Sequence, residues 1–129
     1  MIHRRLRALA AAVVALGAAG CNAAGEPTVT ATATTFAGAL SRHDGAGACA
    51  LLTDDARRST ESFDRDCASQ LATLPDPGAV QQVEVWGDTA QVHLTGDTVF
   101  LLEFPDGWRV SAAGCTPQGD APYDCEVQG

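Results

Sequence analysis

The chain has 129 residues, 46% of them hydrophobic, and sets eight basic residues against sixteen acidic ones for a net charge of −8. That length holds one domain at most. The acidic balance, with arginine but no lysine, excludes a polyanion binder, because such a field repels nucleic acid and anionic headgroups.

The first segments of the chain differ in chemistry from everything after them. Arg4, Arg5 and Arg7 open it, and no acid precedes Glu26. Residues 8–19 are uncharged and rich in Ala, Val and Leu, the length of a signal-peptide apolar region and short of the roughly 20 residues that span a bilayer. Ala18-Ala19-Gly20-Cys21 follows directly. This resembles the bacterial lipobox, in which the cysteine thiol takes a diacylglyceryl group, a peptidase cuts before it, and the new amino terminus is acylated in turn. Ala19 and Gly20 supply the small side chains that pattern requires, while Ala18 stands where it favours Leu. The resemblance implies an export signal over 1–20, lipidation of Cys21, and attachment to the extracytoplasmic face of the cell membrane. Cleavage there removes three arginines and no acid, leaving five arginines against sixteen acids, a charge of −11. The membrane is then held through the acyl chains rather than a basic patch. Residues 21–27 are small and polar enough to serve as a tether, and 28–129 form the domain.

Lipidation also resolves the cysteine count, since five cysteines in an exported chain leave one over. Without Cys21, the remaining Cys49, Cys67, Cys115 and Cys125 form two disulfides in an oxidising compartment, with three possible connectivities. The local pairs, Cys49 with Cys67 and Cys115 with Cys125, are the expected ones. One lies within the helical region, and the other brackets a Pro- and Gly-rich tail. Closing loops of this size is worth about 3 kcal/mol each in the chain-entropy model. No CxxC occurs and no histidine neighbours a cysteine pair, so neither zinc nor another metal is expected.

Within the domain, Val29, Ala33, Phe36, Ala37 and Leu40 recur at helical spacing and predict a helix over 28–44. Thr28, Thr30, Thr32, Thr34 and Thr35 weaken its propensity, so packing must hold it. A second helix is expected over 47–52. A short third helix, capped by Thr53 with Asp54 and Asp55 in its first turn, carries Arg57 and Arg58, and another helical piece covers 64–74. Pro75-Asp76-Pro77-Gly78 ends the helical half. Downstream, four strands are expected at 80–86, 89–94, 98–104 and 108–113, separated by Gly87-Asp88, Gly96-Asp97 and Pro105-Asp106-Gly107. The third is the most apolar and should be central. Residues 114–129 have the composition of a loose tail, but Cys115 and Cys125 should fold them onto the domain with Tyr123 covering part of the sheet. The expected class is α+β, with N-terminal helices packed on a curved, four-stranded antiparallel sheet.

Several segments together resemble the nuclear-transport-factor-2-like exported lipoproteins of actinobacteria. They are Cys49-Ala50-Leu51-Leu52 with Cys67, Val83-Glu84-Val85, Asp97-Thr98-Val99-Phe100-Leu101, and Gly107-Trp108-Arg109-Val110 running into Gly114-Cys115-Thr116-Pro117 and Pro122-Tyr123-Asp124-Cys125. The resemblance implies a cone in which helices and a curved sheet enclose a pocket. It implies no activity.

Candidate chemistry is sparse. His43 beside Asp44 reads as a helix-end cap, because neighbouring helical residues diverge by about 100° and Asp44 cannot orient the imidazole for base catalysis. His93 alternates with Thr89 and Gln91, away from the apolar positions. Glu103 shares a strand face with Val99 and Leu101 and is a candidate acid in an apolar setting, or a partner of Arg109. Trp86, Glu103, Trp108 and Tyr123 are the candidate pocket residues. No catalytic constellation, phosphate loop or cofactor motif is present. Two classes of role follow: a small-ligand or accessory module, and an interaction partner of a membrane complex. An enzyme using the cone pocket is the weaker third.

Overall fold

The computed structural model describes residues 24–129; the expected export signal over 1–20 and the expected lipidation site Cys21 lie outside the described residues. Helices α1 (Glu26–Ser41), α2 (Gly45–Cys49), α3 (Asp54–Thr60) and α4 (Cys67–Ala72) precede strands β1 (Val80–Trp86), β2 (Thr89–Leu94), β3 (Thr98–Phe104), β4 (Gly107–Gln118) and β5 (Ala121–Gln128). The α+β class therefore holds, with five strands in place of the four expected.

Helix α1 begins two residues earlier than its apolar stripe suggests and takes Glu26 and Pro27 from the expected tether. Proline in the first turn costs no hydrogen bond, and the Glu26 carboxylate sits favourably at the positive end of the dipole. The threonines return hydroxyls to the preceding turn: Thr30 to the Glu26 carbonyl at 2.9 Å and Thr35 to that of Ala31 at 2.9 Å. Such back-bonding adds little to helix stability. What holds α1 is its buried stripe, in which Val29, Ala33, Phe36 and Leu40 are all but inaccessible. Burying side chains the size of Phe36 and Leu40 is worth about 2 kcal/mol each.

The helix ends in a Schellman motif. The Asp44 amide donates to the Ala39 carbonyl at 2.8 Å and the His43 amide to that of Leu40 at 3.0 Å, with His43 left-handed at φ 55°. Asp44 at once caps α2, accepting from the Gly47 amide at 2.9 Å. Helix α2 thus starts two residues before the expected 47–52, and it stops early because Leu52 leaves to bridge Val110 of β4. Gly45 lies so close to α4 that a Cβ would overlap the Ala68 carbonyl. Across this contact Cys49 and Cys67 are bonded, with S–S at 2.06 Å. Helix α3 is capped as expected, Thr53 Oγ1 accepting from the Ala56 amide at 3.0 Å. Helix α4 is shorter than 64–74, because Asp66 caps it and residues 62–65 form a turn.

The sheet is an antiparallel meander in the order β1-β2-β3-β4-β5, with β3 central as expected. Two corrections concern its end. Strand β4 continues past Ala113 to Gln118, and residues 121–128 return as β5. Cys115 and Cys125 face each other across that hairpin and are bonded. Pro122 fits because β5 is an edge strand, and Pro117 because β4 has run past its pairing with β3 there and the register shifts between Thr116 and Gln118.

Strand alternation sorts the sheet into two faces. The inner face presents Ala90, Val92, Leu94, Val99, Leu101, Trp108, Val110, Ala113 and Val127 to the helices, all buried in one core with Phe36, Leu40 and Leu71. The outer face carries the register row Trp86, Thr89, Leu102, Arg109 and the parallel row Glu84, Gln91, Phe100, Ala112.

Candidate functional site

Among the described residues, the side chain that accepts the most hydrogen bonds lies at the β2–β3 turn. Asp97 precedes β3 and accepts three backbone N–H bonds, from Thr98 at 2.7 Å and Cys115 at 2.8 Å on Oδ1, and from Gly114 at 2.8 Å on Oδ2. Gly114 is left-handed at φ 64°, and a Cβ there would lie 2.9 Å from the Glu126 side chain. One carboxylate thus clasps the kink at which β4 leaves β3 and enters the disulfide-bonded hairpin. Beside the clasp is a cleft of about 370 Å³ between the end of α1, the segment after α4, and the hairpin. Leu40, Leu74 and Pro75 make its apolar wall, and Thr73, Thr116, Asp97 and Glu126 its polar one. Asp97 faces this cleft with each carboxylate oxygen already accepting from the backbone. The clasp escaped sequence reading because Gly96-Asp97 is an ordinary turn signal, and its partners lie 17 and 18 residues downstream.

The four candidate pocket residues do not converge. Glu103 and Trp108 are register partners and line one shallow groove with Thr28, Ala31 and Thr32 at the start of α1. Trp108 is buried there, its ring against Gly25. Trp86 is on the other face and 57% exposed. Tyr123 also reaches the outer face, where its ring meets that of Phe100 edge-on at 5.3 Å and its hydroxyl accepts from Gln91 Nε2 at 3.3 Å. The expectation that the tail folds back and places Tyr123 over the sheet is thereby met, but as a lid on the outer face and not as the wall of an inner pocket.

Glu103 is exposed at the end of β3, and the expected pairing with Arg109 does not form. Arg109 bonds Asp106 at 2.7 Å instead, and this hydrogen bond together with the guanidinium charge holds the Asp106 carboxyl below its ordinary range. The imidazole of His43 is 3.2 Å from the Ala72 carbonyl and that of His93 3.3 Å from Thr98 Oγ1. Each imidazole thus has a partner within the fold, and Asp44 caps α2 rather than orienting His43. Asp66 likewise has a lowered pKa, first because its carboxylate accepts from the Ser69 backbone and then from the Ser69 side chain.

Among the described residues no three His, Cys, Asp or Glu side chains come together as metal ligands. No helix among them is long and apolar enough to cross a membrane. The arrangement can fasten a hairpin, fill the space between helices and sheet, and present a polar cleft and an aromatic outer face. Compared with known protein families and with curated proteins, the chain matches no family model and no curated sequence.

Proposed function

We propose that the mature chain is a lipid-anchored extracytoplasmic accessory domain, held to the cell membrane through Cys21 and acting by contact with a membrane-protein partner rather than by catalysis. The observation that carries this reading is that the four cysteines among the described residues pair with one another, Cys49 with Cys67 and Cys115 with Cys125, so none of them is left to pair with Cys21, which closes the lipobox-like sequence. The nuclear-transport-factor-2-like cone belongs to the same reading. A long helix laid across one face of a meander supports it, and the interior is filled by side chains such as Phe36, Leu71 and Leu101. A filled interior favours an interaction module over a carrier of buried ligands, because a binder needs an apolar cavity with convergent polar groups.

A second reading, a small polar ligand, is favoured by the cleft beside Asp97, with its Thr73, Thr116 and Glu126 side chains. Cross-linking in intact membranes, followed by mass spectrometry of proteins and small molecules, separates the two. Recovery of one membrane protein, lost with Cys21→Ser, supports the accessory role. A co-purifying small molecule with no protein partner overturns it.

A further inference from the structure

The anchor and the exposed aromatic residues lie at the same end of the molecule. A Cβ at Gly25 would lie 3.2 Å from the Trp108 ring, so the chain enters the domain at the start of α1, beside the β3–β4 turn. Glu103 is opposite Trp108 in the register, and its neighbour Phe104 points to the outer face with 39% of its surface exposed. Two residues back, Leu102 pairs with Thr89, which pairs with Trp86, exposed at 57%. Strand alternation thus assigns Trp86, Leu102 and Phe104 to one face at one end of the sheet, with Thr89 between Trp86 and Leu102 and with Phe104 bordering the cleft of Asp54, Asp55 and Arg58, and they make a rim there. Phe63, the other large exposed apolar side chain, lies in the loop beyond the far end of α3 and is no part of it.

Only three residues separate Cys21 from Gly25, a reach of at most about 14 Å however they are arranged. With Cys21 lipidated, this end of the domain cannot leave the bilayer surface. From these placements we infer that the Trp86–Leu102–Phe104 rim rests in the headgroup layer of the membrane, a second, non-covalent contact that sets the orientation of the anchored domain. Tryptophan and phenylalanine suit that layer, since their rings gain from partial desolvation and tryptophan keeps its N–H hydrated. Of the acids at this end, Asp106 pairs with Arg109, Asp54 with Arg57 and Asp55 with Arg58, while Asp88 and Glu103 are exposed, so the rim suits a zwitterionic headgroup layer rather than an anionic one. The contact is apolar, so it survives added salt. In this orientation the Asp97 cleft, at the opposite end of the strands, faces away from the membrane.

The inference rests on lipidation of Cys21, but its test does not. The mature chain, its four other cysteines paired, is coupled through Cys21 to a maleimide lipid in phosphatidylcholine vesicles, in a Trp108→Phe background that leaves Trp86 as the only tryptophan. On tethering, the emission of Trp86 should shift to the blue, lose quenching by aqueous iodide and gain quenching by brominated acyl chains. Phe104→Asp, an exposed substitution, should reverse these changes while the far-ultraviolet circular dichroism stays the same. Unchanged emission and iodide access after tethering overturn the inference. So does protection that appears in native membranes but not in phosphatidylcholine, which would assign the rim to a protein partner. A Cys21 found unlipidated in cells defeats the proposed function instead, whatever Trp86 does on a synthetic tether.

Discussion

Removing the Asp97 carboxylate should loosen the molecule where β4 turns away from β3. In Asp97→Ala, three backbone N–H groups lose their acceptor, those of Thr98, Gly114 and Cys115. Hydrogen bonds to a charged group are worth about 1.5–3 kcal/mol each. The clasp is half-buried, so water replaces part of what is lost, and the whole effect should be about 3–5 kcal/mol. For a domain of this size that corresponds to a fall in melting temperature of roughly 12–20 °C. Asp97→Asn is the informative companion. Its amide oxygen can keep the Thr98 and Cys115 bonds, both made to Oδ1, while its NH2 group opposes the Gly114 amide. It should cost about 1–2 kcal/mol. Urea unfolding with both disulfides intact gives these differences, and amide exchange locates them, with Gly114 and Cys115 losing protection first. An alanine variant within about 0.5 kcal/mol of the parent would refute the assignment of the clasp as a structural keystone.

Replacing Cys115 and Cys125 together by Ser opens a loop of sequence separation 10 and should lower stability by about 2–4 kcal/mol, with new protease cuts in the hairpin; a variant that melts and digests like the parent would show that strand pairing alone holds β5. At His43 the left-handed backbone reverses the usual preference of a helical position, so His43→Gly should be more stable than His43→Ala by about 1 kcal/mol in the same unfolding assay. The lowered pKa of Asp66 means that its ionised form stabilises α4 above the ordinary carboxylate range, and that this contribution is lost as the pH falls through the lowered folded value. Acid unfolding should therefore lose part of its pH dependence in Asp66→Asn, and an unchanged profile would count against the cap.

The parts of the fold that were legible in the sequence are those with a local cause. The stripe from Val29 to Leu40, the Thr53 cap and the turns between the first four strands each announce themselves within a few residues. The ends of elements were less legible, because they depend on distant partners: α2 ends where Leu52 is drawn to Val110, and Gly45 is fixed by α4. The fifth strand was hidden by Pro117, Gly119 and Pro122, which mark loops in isolation. Here they sit in a hairpin that runs beyond β3, where fewer ladder donors are needed. The disulfide pairs were readable from loop length, whereas the pocket residues were not. Alternation places Trp108 and Trp86 on opposite faces only once the registers of three strand pairs are known, and Tyr123 reaches the outer face only through the fold-back of the hairpin. Glu26 and Pro27, by contrast, were available as signals for an earlier start to α1.

Under the proposed function, Cys21 is the lipidated first residue of an exported domain whose other cysteines are paired. Mass spectrometry of the amino-terminal peptide, taken from protein purified out of the producing cell's membranes, is the decisive experiment. The peptide should begin at Cys21 and carry a diacylglyceryl thioether, with Cys49–Cys67 and Cys115–Cys125 intact in the same sample. A mature chain that begins elsewhere, or one in which Cys21 carries a free thiol, would contradict the proposed function.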